Sequence, residues 1–265
     1  MALHIYQAQL LHYLTENDLN QVAERAHTEK SSSATDNHPN TATIDKNITL
    51  LPVIAGVNVY PEYIAKGALV VNDVTGCIID YGSSEAILAN YAKTNGQEPV
   101  KIHDYRNKLI MPGFIDTHVH YPQIDMIAAY GEQLLDWLNN YTFVTEANFA
   151  DPKVAHDTAQ FFLNQLLANG TTSAMVFSTS HPESAEAFFT ESHRLNTRMI
   201  TGNVLMDQNA PAHLCVSAEQ SIKDSQDIID NWHGRGRQYF AITPRFAITS
   251  TPTQLQLAGE LYASY

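Results

Sequence analysis

Two histidines follow an apolar run in the middle of the chain and have the spacing of a metal-ligand pair. His118 and His120 lie two residues apart, just after the run Leu109 to Ile115. Because side chains alternate across a strand, both imidazoles point to the same side. A neutral imidazole nitrogen is a good ligand for zinc or iron, so two rings at one strand end can share one divalent metal. The pair alone is weak evidence, but its position after a predicted buried strand indicates half of a metal centre.

From Leu109 onward, apolar runs alternate with segments that carry helix-start signals. The runs cover residues 109–115, 171–177, 199–206 and 239–246, and they are typical of parallel strands covered by helices. Helix starts are predicted at Asp151 before Pro152 and at three capping boxes: Ser180 with Glu183, Ser217 with Gln220, and Thr251 with Gln254. Gly170 is expected to end the helix predicted over 153–169. Apolar residues recur along one face of this helix: Ala155, Ala159, Phe162, Leu163 and Leu166.

Four successive strand–helix units predict a parallel α/β architecture. An open doubly wound sheet would have the same order of units, but no glycine-rich phosphate-binding loop follows any of these runs. Polar residues at the strand ends instead favour a (β/α)8 TIM-like barrel, whose sites lie at the carboxyl ends of its strands. Four units are half of such a barrel. We therefore expect residues 109–265 to be an N-terminal half-barrel that is truncated after the fourth strand–helix unit.

The first 108 residues have a different character and predict a small β-rich domain. Two β-rich runs within 68–82 are joined by a turn that contains Gly76, and a helix is predicted over 83–93. A short strand is predicted near 100–103, whereas residues 3–15 fit a strand without excluding a helix. Segment 26–47 has almost no large apolar side chains and is predicted to be a disordered insertion.

The composition excludes several classes of partner. The formal net charge is −13 and the sequence pI is about 5.2, which argues against nucleic acid or an anionic membrane as a partner, since either requires a basic patch. Only two cysteines occur, so no disulfide framework is expected. The N-terminus carries no lysine or arginine before Arg25, and the apolar run 48–60 is too short to span a bilayer. These features predict a cytoplasmic protein.

A long connection, residues 121–150, separates the histidine pair from the next predicted helix. Connections of this length in compact domains are often lids or binding segments. Trp137, Tyr141 and Phe143 in it could form one wall of a pocket for a flat substrate. The alternative, that the three rings only pack the segment onto the barrel, stays open.

The motifs of the C-terminal part resemble the amidohydrolase superfamily, and within it the guanine deaminase family. Pro112-Gly113-Phe114-Ile115-Asp116-Thr117-His118-Val119-His120 is similar to the first-strand metal motif that many hydrolases of this superfamily share. More specific are His120-Tyr121-Pro122-Gln123, the run 130–138, Thr142-Phe143, and Ile242-Thr243-Pro244-Arg245-Phe246. The resemblance covers residues 105–265 well and the N-terminal part loosely. Segment 26–47 has no counterpart in it.

This resemblance implies roles for five residues. His118 and His120 would be metal ligands, Gln123 would hydrogen-bond the edge of a purine, and Arg245 with Phe246 would bind and stack the ring. These residue types suit the roles: an amide has a donor and an acceptor, a guanidinium is a rigid fork of donors, and a phenyl ring is flat and apolar. From the residues alone, Gln123 could equally cap its loop, and Arg245 could form a structural ion pair.

The resemblance also implies a reaction, a cofactor and an assembly. The reaction is the hydrolytic deamination of guanine to xanthine and ammonia by metal-activated water. The enzyme would be a homodimer with one divalent metal per chain, zinc or, as the alternative, iron. The remaining metal ligands and the acid/base residues of the family would lie beyond Tyr265, so we expect this chain alone to be an inactive fragment without catalytic residues of its own. The other histidines of the C-terminal part, which are expected to be surface or capping residues, are His181, His193, His213 and His233.

Two alternative functions stay open. The first is another ring deaminase or chlorohydrolase of the superfamily, acting on a triazine or pterin; the matches at Gln123 and Arg245 argue against it. The second is a half-barrel without catalysis that binds a ligand or a partner through its open strand edges. The coding sequence downstream of residue 265 distinguishes the second alternative, because a truncated enzyme requires further ligand-bearing strands there.

Overall fold

The computed structural model of the protein describes residues 2–15, 48–50, 59–91, 100–131 and 133–265. The chain divides into two compact units, Met1–Pro112 and Gly113–Tyr265, which we call the N-terminal unit and the C-terminal unit. Segment 26–47, predicted to be a disordered insertion, lies outside the described residues. Within the described parts of the chain, none of the helices combines the length and the apolar character needed to cross a bilayer.

The N-terminal unit contains a mixed β-sheet and one helix in its described part. Strand order is β2-β3-β1-β5, and β4 pairs with β3. Strand β1 is antiparallel to β3 and parallel to β5. The elements are β1 (Leu3–Thr15), β2 (Ile48–Leu50), β3 (Val59–Asn72), β4 (Ile78–Ser83), α1 (Ser84–Tyr91) and β5 (Lys101–Ile110). The helix packs on the sheet through Ile87, which contacts Ile5, Ala68 and Val70.

The turn between β3 and β4 forms at the predicted glycine. The Asn72 side-chain oxygen accepts hydrogen bonds from the backbone N–H groups of Val74 and Thr75, at 2.9 and 3.1 Å. Gly76 has a φ of +68°, a left-handed conformation that costs glycine nothing. Residues 3–15, for which the sequence left two interpretations open, form a strand.

The prediction of one buried strand over Leu109–Ile115 is wrong. Strand β5 ends at Ile110, and the next strand, β6 (Phe114–His120), begins only after Pro112 and Gly113. Proline cannot donate to a strand ladder, so Pro112 interrupts the pairing. A Cβ on Gly113 would lie 2.1 Å from the Thr172 hydroxyl oxygen, so this position has no space for a side chain. Ile115 is 73% exposed, and β6 lies at the edge of its sheet.

The C-terminal unit has a four-stranded parallel sheet in the order β10-β8-β7-β6. A further pair, β11 and β9, is also parallel. The strands are β6 (Phe114–His120), β7 (Thr171–Phe177), β8 (Arg198–Gly202), β9 (Val204–Leu205), β10 (Gln238–Phe240) and β11 (Thr243–Pro244). The helices are α2 (Leu134–Trp137), α3 (Phe143–Ala147), α4 (Pro152–Ala168), α5 (Pro182–Arg194), α6 (Ala218–Trp232) and α7 (Pro252–Ala263). The alternation of parallel strands with helices is that of an α/β fold.

The third and fourth predicted strands are each divided into two short strands. The break in the third lies at Asn203, whose buried side chain donates to the Ser221 carbonyl at 3.1 Å and accepts from the Ser225 hydroxyl at 2.8 Å. The break in the fourth lies before Thr243, whose hydroxyl donates to the Ala241 carbonyl at 2.7 Å. Strands β9 and β11 pair with each other in a separate sheet, and an apolar run in the sequence does not reveal this division.

Three of the four predicted helix starts form as expected. Side-chain oxygens accept from backbone N–H groups at Asp151 with Lys153 (2.8 Å), Ser217 with Gln220 (3.2 Å) and Thr251 with Gln254 (3.2 Å). The predicted capping box of Ser180 with Glu183 does not form. Helix α5 instead begins after His181, with proline in its first turn, and the Ser184 hydroxyl oxygen accepts from the Thr179 N–H at 2.9 Å.

Helix α4 covers the sheet through the predicted apolar stripe. Ala155, Ala159, Phe162 and Leu163 are buried, whereas Leu166 is half-buried. They pack with Phe188 of α5 and Met199 of β8 in one cluster. Burial of each large apolar side chain contributes roughly 1.5–3 kcal/mol. This packing fixes the sheet whose strand ends carry the predicted site.

Candidate active site

The two predicted metal ligands lie side by side at the end of β6. The ring centroids of His118 and His120 are 5.2 Å apart. Phe177, the last residue of β7, stacks on His120 with a centroid distance of 4.4 Å and an angle of 14°. The Asp116 carboxylate accepts from the His118 backbone N–H at 3.0 Å. Both imidazoles therefore belong to one strand end, held from the neighbouring strand and from their own backbone.

The surroundings of His120 keep its imidazole neutral. Burial, followed by the charges of Arg245 and His118, lowers the pKa of His120 from 6.5 to about 4. At neutral pH the ring is therefore uncharged, which is the protonation state that a metal ligand requires. Within the described residues, however, no group of three or more histidine, cysteine, aspartate or glutamate side chains is arranged to hold a metal. Two imidazoles fit half of a four-coordinate site.

Gln123 lies within hydrogen-bond distance of the histidine pair. It belongs to a short 3-10 helix, Tyr121–Met126, which is anchored by the buried Tyr121. The Tyr121 hydroxyl donates to the Ser184 carbonyl at 2.8 Å, and burial raises the pKa of this tyrosine. The side-chain nitrogen of Gln123 is 3.2 Å from Nδ1 of His120 and donates to the Glu146 carboxylate at 3.2 Å.

Glu146 and Arg245 form a buried, bidentate ion pair beside Gln123. Nη1 and Nη2 of Arg245 lie 2.5 and 3.1 Å from the two carboxylate oxygens. The Glu146 side chain is 0% exposed and that of Arg245 is 7% exposed. The guanidinium also lies over the Phe143 ring, 5.2 Å from its centroid. Gln123, Glu146 and Arg245 thus form one hydrogen-bonded cluster, which we call the polar triad.

Sequence reasoning missed Glu146. The residue lies on α3, which continues a π-helical segment, Leu138–Thr142, and π-helical turns are frequent at functional sites. One signal was available in the sequence: Glu146 lies three residues from both Phe143 and Phe149, the spacing of residues on one side of a helix. A fully buried glutamate requires a cationic or hydrogen-bonding partner.

Only some of the predicted site residues line the cavity beside the histidine pair. Phe246 is partly buried and packs in an apolar cluster with Leu138, Phe143, Val204, Met206 and Leu214. His118, His120 and Gln123 line a cavity of about 420 Å³ together with Trp137. Neither Arg245 nor Phe246 lines this cavity. Of the three aromatic residues predicted for its wall, Trp137 lines it, Phe143 lies under Arg245, and Tyr141 is 41% exposed.

His181 differs from the expectation of a surface or capping histidine. Its Nε2 atom is buried and has no hydrogen-bond partner in the described chain, and burial lowers the pKa of His181. Two other histidines have structural contacts: His193 packs edge-on against Trp232, and Nδ1 of His233 accepts from the Phe240 N–H at 3.2 Å.

A comparison with protein families matches residues 109–265 to the amidohydrolase family. The matched region contains the histidine pair and the whole polar triad. It comprises more than half of the chain.

Individual relatives are guanine deaminases. The chain is 51% identical over 168 residues to guanine deaminase of Escherichia coli K12, an alignment that covers 63% of this chain and 38% of the relative. The solved structure of E. coli guanine deaminase superposes with a TM-score of 0.77 over 99% of this chain and 51% of that one, at 36% identity. A guanine deaminase from C. acetobutylicum, solved with guanine bound in its active site, has a TM-score of 0.72 at 26% identity and the same coverage. The chain thus spans about half the length of these proteins or less.

Proposed function

The chain belongs to the amidohydrolase family, and we propose that it is the N-terminal half of a guanine deaminase, which hydrolyses guanine to xanthine and ammonia. One observation carries this proposal beyond the similarity of sequence. The Gln123 amide nitrogen lies 3.2 Å from Nδ1 of His120, and the Glu146 carboxylate joins this amide to the Arg245 guanidinium. The amide that we propose to recognise the purine is therefore in direct contact with a proposed metal ligand.

We infer that Gln123, Arg245 and Phe246 bind the purine. Guanine presents a carbonyl next to a ring N–H, and these groups match an acceptor on Gln123 and donors on Arg245. Two of the guanidinium nitrogens already face Glu146, which fixes the plane of the fork and leaves N–H groups for a ring carbonyl. Phe246 follows Arg245 directly and would supply an apolar surface for the ring.

We infer that His118 and His120 hold a divalent metal. Imidazole ligands suit zinc, and iron is the alternative. When bound, the metal would supply Lewis-acid activation of water. The residues of this chain contribute the neutral state of His120, the stacking of Phe177 on that ring and the anchoring of the His118 backbone by Asp116. The remaining ligands and the proton donor would come from a longer protein.

The proposed architecture is half of a (β/α)8 barrel in residues 109–265, preceded by a small β-rich domain in residues 1–108. The parallel order β10-β8-β7-β6 supports it, because β6 and β10 lie at the edges where further strands would pair. The exposure of Ile115 on β6 is consistent with such an edge. A homodimer and a cytoplasmic location stay predictions.

The test is a hybrid protein in which residues 1–265 continue into the C-terminal half of the E. coli guanine deaminase. Arg245→Lys in this hybrid keeps the charge but loses the planar fork. We expect the KM for guanine to rise about tenfold with kcat changed far less, because the lost contact is made to bound substrate. Arg198→Lys is the matched control, since Arg198 is exposed and lies over Tyr239 at the start of β8. An unchanged KM in Arg245→Lys would remove Arg245 from the substrate site.

A further inference from the structure

Glu146 contacts both polar side chains that would bind the purine. We propose that Glu146 is a positioning residue that makes the pocket prefer a neutral purine to an anionic one. The proposal rests on the proposed function, because it concerns the substrate site assigned there. It assigns Glu146 two tasks, the orientation of the Gln123 amide and the neutralisation of the Arg245 charge.

The first task follows from hydrogen-bond chemistry. An ionised carboxylate can only accept, so the group that Gln123 turns toward Glu146 must be its NH2 group. The amide oxygen is therefore the end left for a ligand, and it has no partner among the described residues. Glu146 thereby determines that Gln123 offers an acceptor, which is complementary to a ring N–H.

The second task follows from burial. The carboxylate of Glu146 and the guanidinium of Arg245 are almost completely removed from solvent, so water does little to screen either charge. Together they carry no net charge. Because the two charges lie within about 3 Å of each other, the attraction of an anionic ring to Arg245 is opposed by its repulsion from Glu146. A neutral ring still accepts hydrogen bonds from the remaining N–H groups of Arg245.

This balance matters for the reaction because substrate and product differ in acidity. Deamination replaces the amine of guanine with a second carbonyl, and the resulting xanthine is the stronger N–H acid. Xanthine is therefore partly anionic at a pH at which guanine is neutral. An Arg245 without a carboxylate partner would bind this anion tightly. Because Glu146 neutralises the Arg245 charge, it favours release of the product.

The experiment measures binding of guanine and xanthine to the 265-residue chain by equilibrium dialysis. A chelator is present, and the pH is chosen so that xanthine is anionic and guanine neutral. The unsubstituted chain should prefer guanine, and Glu146→Gln should shift the ratio of the two affinities toward xanthine by about tenfold or more. Glu260→Gln, the same change at an exposed position on α7, should leave the ratio unchanged. A folded Glu146→Gln variant with the ratio of the parent would overturn the proposal.

Two further variants decide the question if Glu146→Gln does not fold. Glu146→Asp keeps the charge and should keep the preference for guanine, with weaker binding of both purines. The double variant Glu146→Gln/Arg245→Gln has no net charge at the pair, as in the parent, and should show no shift toward xanthine. A shift toward xanthine in either variant would refute the charge argument.

One readout does not depend on purine binding. The side-chain NMR signals of Gln123 and Arg245 should move in Glu146→Asp, because both groups donate to this carboxylate. If the parent chain binds no guanine but these signals move, the assignment of a guanine site to residues 1–265 alone fails and the positioning role stands. If the chemical shifts of both side chains are unchanged, the positioning role is refuted.

Discussion

Replacing Glu146 with leucine should lower the free energy of unfolding of the C-terminal unit by about 3–5 kcal/mol. Glu146 is fully buried and Arg245 is 7% exposed, so the arginine charge left behind cannot be hydrated without movement of the chain. The variant also leaves the Gln123 amide without its acceptor at 3.2 Å. The loss should therefore lie well above that of an exposed ion pair, for which about 0–1 kcal/mol is typical.

The double variant Glu146→Leu/Arg245→Met makes the prediction specific to the ion pair. Since replacing both members of a buried pair with apolar side chains is often neutral or stabilising, the double variant should recover most of the loss. The assay is thermal and urea unfolding followed by circular dichroism. For a unit of this size, the single variant should lower Tm by about 6–20 °C.

The control is Asp157→Leu, which removes the partner of Lys153 in an exposed i,i+4 pair on α4. This change should cost no more than about 1 kcal/mol. The reasoning is refuted if Glu146→Leu costs as little as the control. It is also refuted if the double variant is as unstable as the sum of the two single variants, because the two charges would then not be coupled.

Three further predictions concern single positions. Asp151→Ala removes the side-chain acceptor of the α4 N-cap and should cost about 1 kcal/mol in urea unfolding; a loss below about 0.3 kcal/mol would show that water replaces the cap. Phe188→Ala leaves a cavity at a fully buried position in the main cluster and should lower the free energy of unfolding by about 3–5 kcal/mol. Thr190→Ala, at an exposed position of the same helix, is the control and should change it very little. Burial lowers the pKa of His181 in the folded chain, so the unfolded chain binds more protons as the pH falls below the ordinary pKa of about 6.5, and the free energy of unfolding decreases there. His181→Asn should reduce this dependence of stability on pH. An NMR titration midpoint of His181 above 6.5 would contradict the direction of the pKa shift.

Local chemistry in the sequence accounts for many elements of the fold. Aspartate, serine and threonine at helix starts act through neighbouring backbone N–H groups, so three N-caps were predictable from a few residues each. The apolar stripe of α4 was predictable for the same reason, since helix geometry alone brings its residues to one face. The prediction for Leu109–Ile115 failed because apolar composition alone reveals neither the break between β5 and β6 nor the exposure of the side chains.

The site was predictable only in part. The two histidines follow from strand geometry, because residues two apart share one side of a strand. Glu146 is separated from Arg245 by 99 residues and contacts it only because α3 packs beside the end of β11. Pairing over such a separation is set by tertiary packing, which a single sequence does not reveal. The buried Nε2 atom of His181 was missed for the same reason.

The most direct test of the central claim is release of ammonia from guanine by the hybrid that carries residues 1–265 before the C-terminal half of the E. coli enzyme. The zinc-loaded hybrid should release ammonia and xanthine in equal amounts. Substitution His120→Asn should abolish both the activity and most of the metal binding, while His193→Asn, at a histidine that packs on Trp232, should change neither. A folded, zinc-loaded hybrid that releases no ammonia from guanine, assayed beside an active E. coli enzyme, would contradict the assignment.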